Sequence, residues 1–232
     1  MTREQQLLEN LHRVRTEIAE LCAKYDRDGS DVTLVGVTKT WPSSDARILI
    51  EAGLADIGEN KEQEATRKRD ELKDLDFTLH FLGGIQSNKI AKIARCADVV
   101  HSLDRQDHAV KLGAAATAIG RNITALVQVD FAEGEVEGRS GVAPSEVLAM
   151  AAAIHEIAGL TLGGVMTVAP LDVEPRGIFD HLHQLALEVQ TEFPHATIIS
   201  AGMSADLEAA IAAGATHVRI GSALLGNRTY VQ

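Results

Sequence analysis

The sequence predicts an α/β protein, a single TIM-type (β/α)8 barrel with an extra N-terminal helix. Three observations predict it. Eight short apolar runs rich in β-branched residues recur along the chain. A stretch with helical spacing follows each of the first seven runs. The whole spans 232 residues, which suits one barrel domain. Strands alternating with helices pair in parallel through right-handed crossovers. Periodicity does not reveal closure, so a doubly wound open sheet is the alternative that this pattern leaves standing.

The chain opens on an amphipathic helix, about residues 2–25. Leu7, Leu8, Leu11, Val14, Ile18 and Leu21 recur at three- and four-residue steps and share a face. The turn "DRDGSD" ends it, with Gly29 expected in a left-handed conformation. The strands follow as "VTLVGVT" (32–38), "ADIG" (55–58), "FTLHFLG" (77–83), "ADVVHS" (97–102), "ITALVQVD" (123–130), "LTLGGVM" (160–166), "ATIIS" (196–200) and "THVRIG" (216–221). Between them, "SSDARILIEAG", "KEQEATRKRDELKD", "SNKIAKIARC", "RQDHAVKLGAAATAIG", "APSEVLAMAAAIHEIAG", "EPRGIFDHLHQLALEVQTEF" and "SADLEAAIAAG" carry helical spacing. Ser43, Ser87 and Ser204 are candidate N-caps, and Gly53, Gly120, Gly159 and Gly214 are candidate helix stops. The five prolines are scattered and no linker interrupts the pattern, so residues 1–232 are expected to form one domain. The mixed-sign charges from Glu59 to Asp76 read as a solvated helix face.

Composition excludes several function classes. Hydrophobic residues make up 45% and aromatics 3%, so Ala, Val, Ile and Leu must build the core. Few aromatics and a net charge of −11 argue against nucleic acid, which calls for stacking platforms and a basic face. No apolar run approaches the roughly 20 residues that span a bilayer. The charged start "MTREQQLLENLHRVRTEI" does not read as a signal peptide, and a cytoplasmic location is expected. Cys22 and Cys96 stand alone and read as reduced, partly buried thiols. No metal site is expected: His181 and His183 are two apart on a helix, and "HEIAG" lacks a second histidine.

Barrel active sites gather at the C-terminal ends of the strands, and phosphate binds beyond strands seven and eight. The first strand runs out at Lys39. It is either a surface lysine at the mouth or an imine-forming amine; partial desolvation there would favour the neutral form that imine chemistry needs. Asn60, in "GEN", is either a helix cap or a ligand contact. His80 reads as a satisfied core histidine ahead of a catalyst. Gly83 and Gly84 permit close backbone approach, and Ser87, Asn88 and Lys89 read as an ordinary helix start. Near the C-terminus, "AGMS" gives a turn after Ser200, Ser204 opens a helix, and Gly221 and Ser222 open another. Two helix starts with hydroxyls at Ser200, Ser204 and Ser222 make a phosphate cup. Arg219 lies between Val218 and Ile220. If those two face the helices, Arg219 faces the lumen and needs a partner, a bound anion or an acceptor on a cofactor. A lysine facing a phosphate cup across a barrel mouth suits a ligand that joins an aldehyde to a phosphate through a ring: pyridoxal 5′-phosphate. A different phosphorylated metabolite is the competing ligand.

"VTKT", "GEN", "HFLGGIQSNK", "SGV" and "GMSADLEAAIAAGATHVRIGSALLG" resemble the motifs of the YggS/PROSC family, the pyridoxal-phosphate homeostasis proteins. The resemblance covers nearly the whole chain, and the C-terminal motif is its most specific part. It implies the barrel of the alanine racemase N-terminal domain. It further implies that Lys39 holds the cofactor as an aldimine and that Arg219 approaches the pyridine nitrogen. By the same resemblance Ser200, Met203, Ser204, Gly221 and Ser222 surround the phosphate, and Asn60 lies near the ring. Family members often carry lysine where this chain has Arg139, and arginine cannot serve as a second imine-forming amine.

Two functions remain open. A carrier would take part in pyridoxal-phosphate homeostasis and hand the cofactor to apo-enzymes. A racemase-like enzyme would need a second acid–base group. Alanine racemase takes that group from a C-terminal β-domain across a dimer, and no such stretch follows Gly226 here. The only tyrosines, Tyr25 and Tyr230, are poorly placed. An arginine at the ring nitrogen weakens the electron sink, which tells against transamination and decarboxylation and leaves racemisation open. The expectation is therefore a monomeric carrier with no firm catalytic residue.

Overall fold

The structure, a computed structural model, describes residues 1–132, 140–170 and 173–226. Its strands are β1 (Thr33–Val37), β2 (Asp56–Glu59), β3 (Thr78–Phe81), β4 (Val99–Leu103), β5 (Ile123–Val129), β6 (Leu160–Thr167), β7 (Ile198–Ser200) and β8 (His217–Ile220). They pair in parallel and in sequence order. Closure comes from β1 on β8, with Thr33 beside His217 and Gly36 beside Ile220. The open sheet is thereby excluded. The crossovers contain α2 (Ser43–Glu51), α3 (Glu62–Glu71), α4 (Ile90–Cys96), α5 (Gln106–Thr117), α6 (Val147–His155), α7 (Pro175–Glu192) and α8 (Leu207–Ala212). Helix α1 (Arg3–Lys24) precedes the barrel, and α9 (Ser222–Leu225) is a single turn after β8.

Strand alternation separates two cores. Leu34, Leu79, Phe81, Val100, Val218 and Ile220 join the helices in the main core. Their neighbours therefore face the lumen, where Val99, Leu126 and Met166 form a small separate cluster with Ile198. Polar side chains share the lumen with them: His80, His101, Ser200 and Arg219 are all buried there.

Helix α1 starts on a reciprocal cap. Thr2 Oγ1 accepts from Gln5 N at 3.1 Å, and Gln5 Oε1 accepts from Thr2 N at 2.9 Å. Its buried stripe is Leu7, Leu11, Val14, Ile18 and Cys22; Leu8 is exposed, which narrows the expected face. The left-handed residue after α1 is Asp26, at φ 53°, and Gly29 instead opens a short 3-10 turn. The predicted glycine stops hold, with φ of 86, 68, 84 and 94° at Gly53, Gly120, Gly159 and Gly214. Ser43 is the first residue of α2 rather than its cap, and Ser87 opens a 3-10 turn ahead of α4. Cys22 and Cys96 are free and fully rather than partly buried, and burial pushes both thiols up. Helix α1 also clips α9. Arg3 Nη2 donates to Leu225 O at 3.0 Å, Asn10 Nδ2 to Leu224 O at 3.0 Å and Arg13 Nη2 to Ala223 O at 2.9 Å. These carbonyls end a helix too short to satisfy them itself.

No helix among the described residues is long and apolar enough to cross a membrane. No group of three or more His, Cys, Asp or Glu among them could hold a metal ion.

Candidate functional site

The strand carrying the first site residue ends at Val37, two residues earlier than expected. Lys39 therefore sits in a turn and is exposed, not partly desolvated at a strand end. The turn is held firmly. Thr38 is fully buried; its N–H donates to Gly58 O at 3.0 Å and its Oγ1 to Glu59 Oε1 at 2.6 Å. From α3, Lys68 Nζ donates to Thr38 O at 2.7 Å and pairs with Glu59. Both charged side chains are fully buried. Thr40, on the other side of Lys39, has φ 70°, a strained value for a β-branched residue, and its N–H donates to Glu64. The charges from Glu59 to Asp76 are thus not simply a solvated face: Glu59, Glu62 and Lys68 are buried. Burial pushes the Glu59 carboxyl up, against the pull of Lys68 and Thr38.

Asn60 follows Glu59 and is half-buried. It does not cap α3, whose N-cap is Lys61. Gly83 explains its placement. A Cβ at Gly83 would lie 1.9 Å from Asn60 O, so only glycine lets the two loops pass.

After β7, Met203 N–H donates to the Asp206 carboxylate and Asp206 N–H returns to Met203 O at 3.2 Å. This closes a turn that contains Ser204, so α8 starts three residues later than expected, at Leu207. After β8, Gly221 leads into α9, and Ser222 Oγ donates to Ser204 Oγ at 3.3 Å. The expected pair of helix starts is thus one turn and one four-residue helix. Hydroxyls and turn amides, rather than helix dipoles, give this cup its character.

Arg219 faces the lumen, as the outward packing of Val218 and Ile220 requires. Its partners are internal: Nη1 donates to Ser200 Oγ at 2.6 Å and Nη2 to Thr167 O at 2.8 Å. Burial lowers its pKa to about 10, which leaves it a cation at neutral pH. Ser200 is fully buried beneath it and also meets His101 Nδ1 at 2.9 Å.

The other predicted residues meet in one cavity of about 420 Å³ at the barrel mouth. Lys39, Asn60, Met203, Ser204, Arg219, Gly221 and Ser222 line it, whereas Ser200 lies below its wall. The size suits a small-molecule ligand. Val37, Leu82, Met166 and Val168 add an apolar wall that the sequence reading did not single out. A primary amine, a guanidinium held by two hydrogen bonds, paired hydroxyls and an apolar wall together fit a small aromatic aldehyde that carries a phosphate.

Residues 5–229 match the family described as alanine racemase, N-terminal domain. The chain is 39% identical over 227 residues to the pyridoxal phosphate homeostasis protein of Pseudomonas aeruginosa, covering 97% of this chain and 96% of that one. This chain belongs to the pyridoxal phosphate homeostasis protein family. A solved structure, PipY of Synechococcus elongatus with PLP bound, superposes with a TM-score of 0.82 at 32% identity, over 95% of this chain and 100% of that one. Alanine racemase of Clostridium difficile in complex with cycloserine superposes at TM-score 0.75 and 16% identity, over 98% of this chain and 61% of that one, a likeness of fold alone.

Residues of "VTKT", "GEN", "HFLGGIQSNK" and the C-terminal motif line this mouth. Arg139 and Tyr230 are outside the described residues. Tyr25 ends α1 and donates to Glu208 Oε1 at 2.9 Å, away from the cavity lining. The sequence reading also missed Lys68 and His101. The alternation in "TLHF" and "VVHSL" carries a signal for the second, since it turns His80 and His101 to the same interior.

Proposed function

We propose that this protein binds pyridoxal 5′-phosphate in the mouth cavity through Lys39 and takes part in pyridoxal-phosphate homeostasis by holding the cofactor and passing it on. One observation carries the reading: Lys39 from the β1 end and Ser204, Gly221 and Ser222 from the β7 and β8 ends line the same cavity as Arg219. The PLP-bound PipY structure supports it. When bound, the cofactor supplies an aldehyde that condenses with a primary amine. Lys39 is the amine at this cavity, and its exposure lets ligands and partners reach it. The hydroxyls of Ser204 and Ser222, with amides at Gly221 and Ser222, hold the phosphate. Arg219 presents N–H donors to the ring and, as a standing cation, disfavours a second positive charge there. The recipients in this reading are apo-enzymes in the cytoplasm, and the carrier is a monomer.

The test is borohydride reduction of protein loaded with pyridoxal 5′-phosphate, followed by peptide mass spectrometry. The expected adduct is on Lys39. An adduct spread over many surface lysines, or none, overturns the proposal. Proton exchange at Cα of amino acids in deuterated water, followed with loaded wild type and Lys39→Ala, separates carrier from racemase. The carrier reading expects no exchange at enzyme-like rates.

A further inference from the structure

A line of buried polar side chains crosses the barrel lumen from the mouth to the opposite face. Arg219 Nη1 donates to Ser200 Oγ at 2.6 Å. Ser200 Oγ meets His101 Nδ1 at 2.9 Å, His101 Nε2 meets His80 Nδ1 at 2.8 Å, and His80 Nε2 meets Asp56 Oδ1 at 2.9 Å. Ser200, His101 and His80 are at most 1% exposed. Asp56, the first residue of β2, also lines a pocket of about 380 Å³ between α1 and the barrel floor, beside Arg15 and Thr33. A barrel lumen is ordinarily filled by layers of branched apolar side chains. Buried polar groups replace them at a cost unless every one is paired.

With both histidines neutral, the pairing has one consistent direction. A carboxylate at Asp56 only accepts, so His80 donates from Nε2. A neutral His80 then accepts at Nδ1, and His101 donates to it from Nε2. Burial, reinforced by His80, Arg219 and His217, holds the His101 pKa well below the usual histidine range, so its Nδ1 accepts. Ser200 must donate there and take Arg219 on a lone pair. The charged or titratable groups facing this line are His217, whose ring centroid is 6.2 Å from that of His80, and Asp206 near Arg219. Strands β1, β5 and β6 contribute no titratable side chain.

We propose that Asp56, His80, His101 and Ser200 are positioning residues, a directional hydrogen-bond chain that sets from the barrel floor how Arg219 is presented at the mouth. A serine that donates onward is a better acceptor for the guanidinium, because hydrogen bonds in a chain polarise one another. The effect on cofactor rests on the cofactor reading above; the direction of the chain does not.

The experiment is long-range proton–nitrogen NMR on the full chain labelled with 15N-histidine, first without cofactor. His80 and His101 are expected as neutral imidazoles protonated on Nε2. A proton on Nδ1 of His101 overturns the proposal. Pyridoxal 5′-phosphate is then added to wild type, Asp56→Asn and Asp56→Glu, and its dissociation constant and visible absorption maximum are measured. Asp56→Asn is expected to weaken binding by about fivefold or more and to move the absorption maximum, although residue 56 lies outside the cavity. Asp56→Glu is expected to recover part of both. Unchanged affinity and absorption in Asp56→Asn overturn the coupling. If Asp56→Asn does not fold, Ser200→Ala cuts the chain at its other end and gives the same comparison. If wild type forms no adduct at Lys39, the cofactor reading fails by itself, and the histidine tautomers still decide whether the chain exists.

Discussion

Lys68 reaches from α3 to the carbonyl of Thr38, 2.7 Å away, and Thr38 is the residue before Lys39. A fully buried ammonium thus fixes the backbone from which an exposed one projects. The two lysines differ in place: one holds the turn from inside, and the other stands exposed at the mouth cavity.

Removing the buried partner should be costly. Lys68→Met leaves Glu59 buried without its cation, a change that typically costs about 3–5 kcal/mol. Denaturant unfolding at neutral pH measures it. Adding Glu59→Gln should recover part of the loss. The Glu59 carboxyl is already raised in the folded protein, so its protonated form is the one the fold favours. The deficit of Lys68→Met should therefore be smallest in acid, where the carboxyl is protonated in both proteins, and grow only as pH rises past the raised folded value of Glu59.

Lys39→Ala should behave in the opposite way. The side chain is exposed, so stability should stay within about 0.5 kcal/mol of wild type. The borohydride-trapped adduct should disappear. Loss of the adduct together with a large drop in stability would instead make Lys39 structural.

Gly83→Ala should damage the site through the backbone. Its Cβ would overlap Asn60 O, and neither atom belongs to a flexible side chain. Overpacking of this kind costs about 1–3 kcal/mol. Thermal unfolding and cofactor affinity should both fall; a variant with wild-type affinity would show that Asn60 does not need its present position.

Acid should weaken the fold through histidines held neutral. Burial lowers the His217 pKa to about 4, with His80 adding to the effect and Asp56 opposing it. A group depressed in the folded state contributes stability above its unfolded value of 6.5 and loses it as pH falls toward 4. Each such histidine adds a slope of about 1.4 kcal/mol per pH unit across that range. His217→Gln should flatten the pH dependence of unfolding by about one proton. An unchanged slope would mean that His217 does not titrate in this way.

Much of the barrel was legible because its signals are local. Val218, Arg219 and Ile220 alternate within one strand, so the inward turn of Arg219 could be read without knowing its neighbours. Gly53 and Gly214 mark helix ends through their own backbone preferences. What escaped depends on residues distant in sequence. Lys68 looks like any helical surface lysine until β1 and β2 bring Thr38 and Glu59 against it. His80 and His101 are ordinary in isolation and form a line only across the closed lumen. Lys39 was placed on a strand because "TLVGVTK" has no breaker before Pro42; the turn is set by the contacts of Thr38 and Thr40 instead.

The clip between α1 and α9 ties together residues 210 to 222 positions apart. During synthesis the first helix leaves the ribosome long before the turn that it must grip. Contacts of such separation form late, after the loop between them has closed. The serine at the start of α9 therefore gains its final surroundings only when the two distant segments meet. Nascent chains that stall short of that meeting should already carry most of the sheet yet have no grip on an anion.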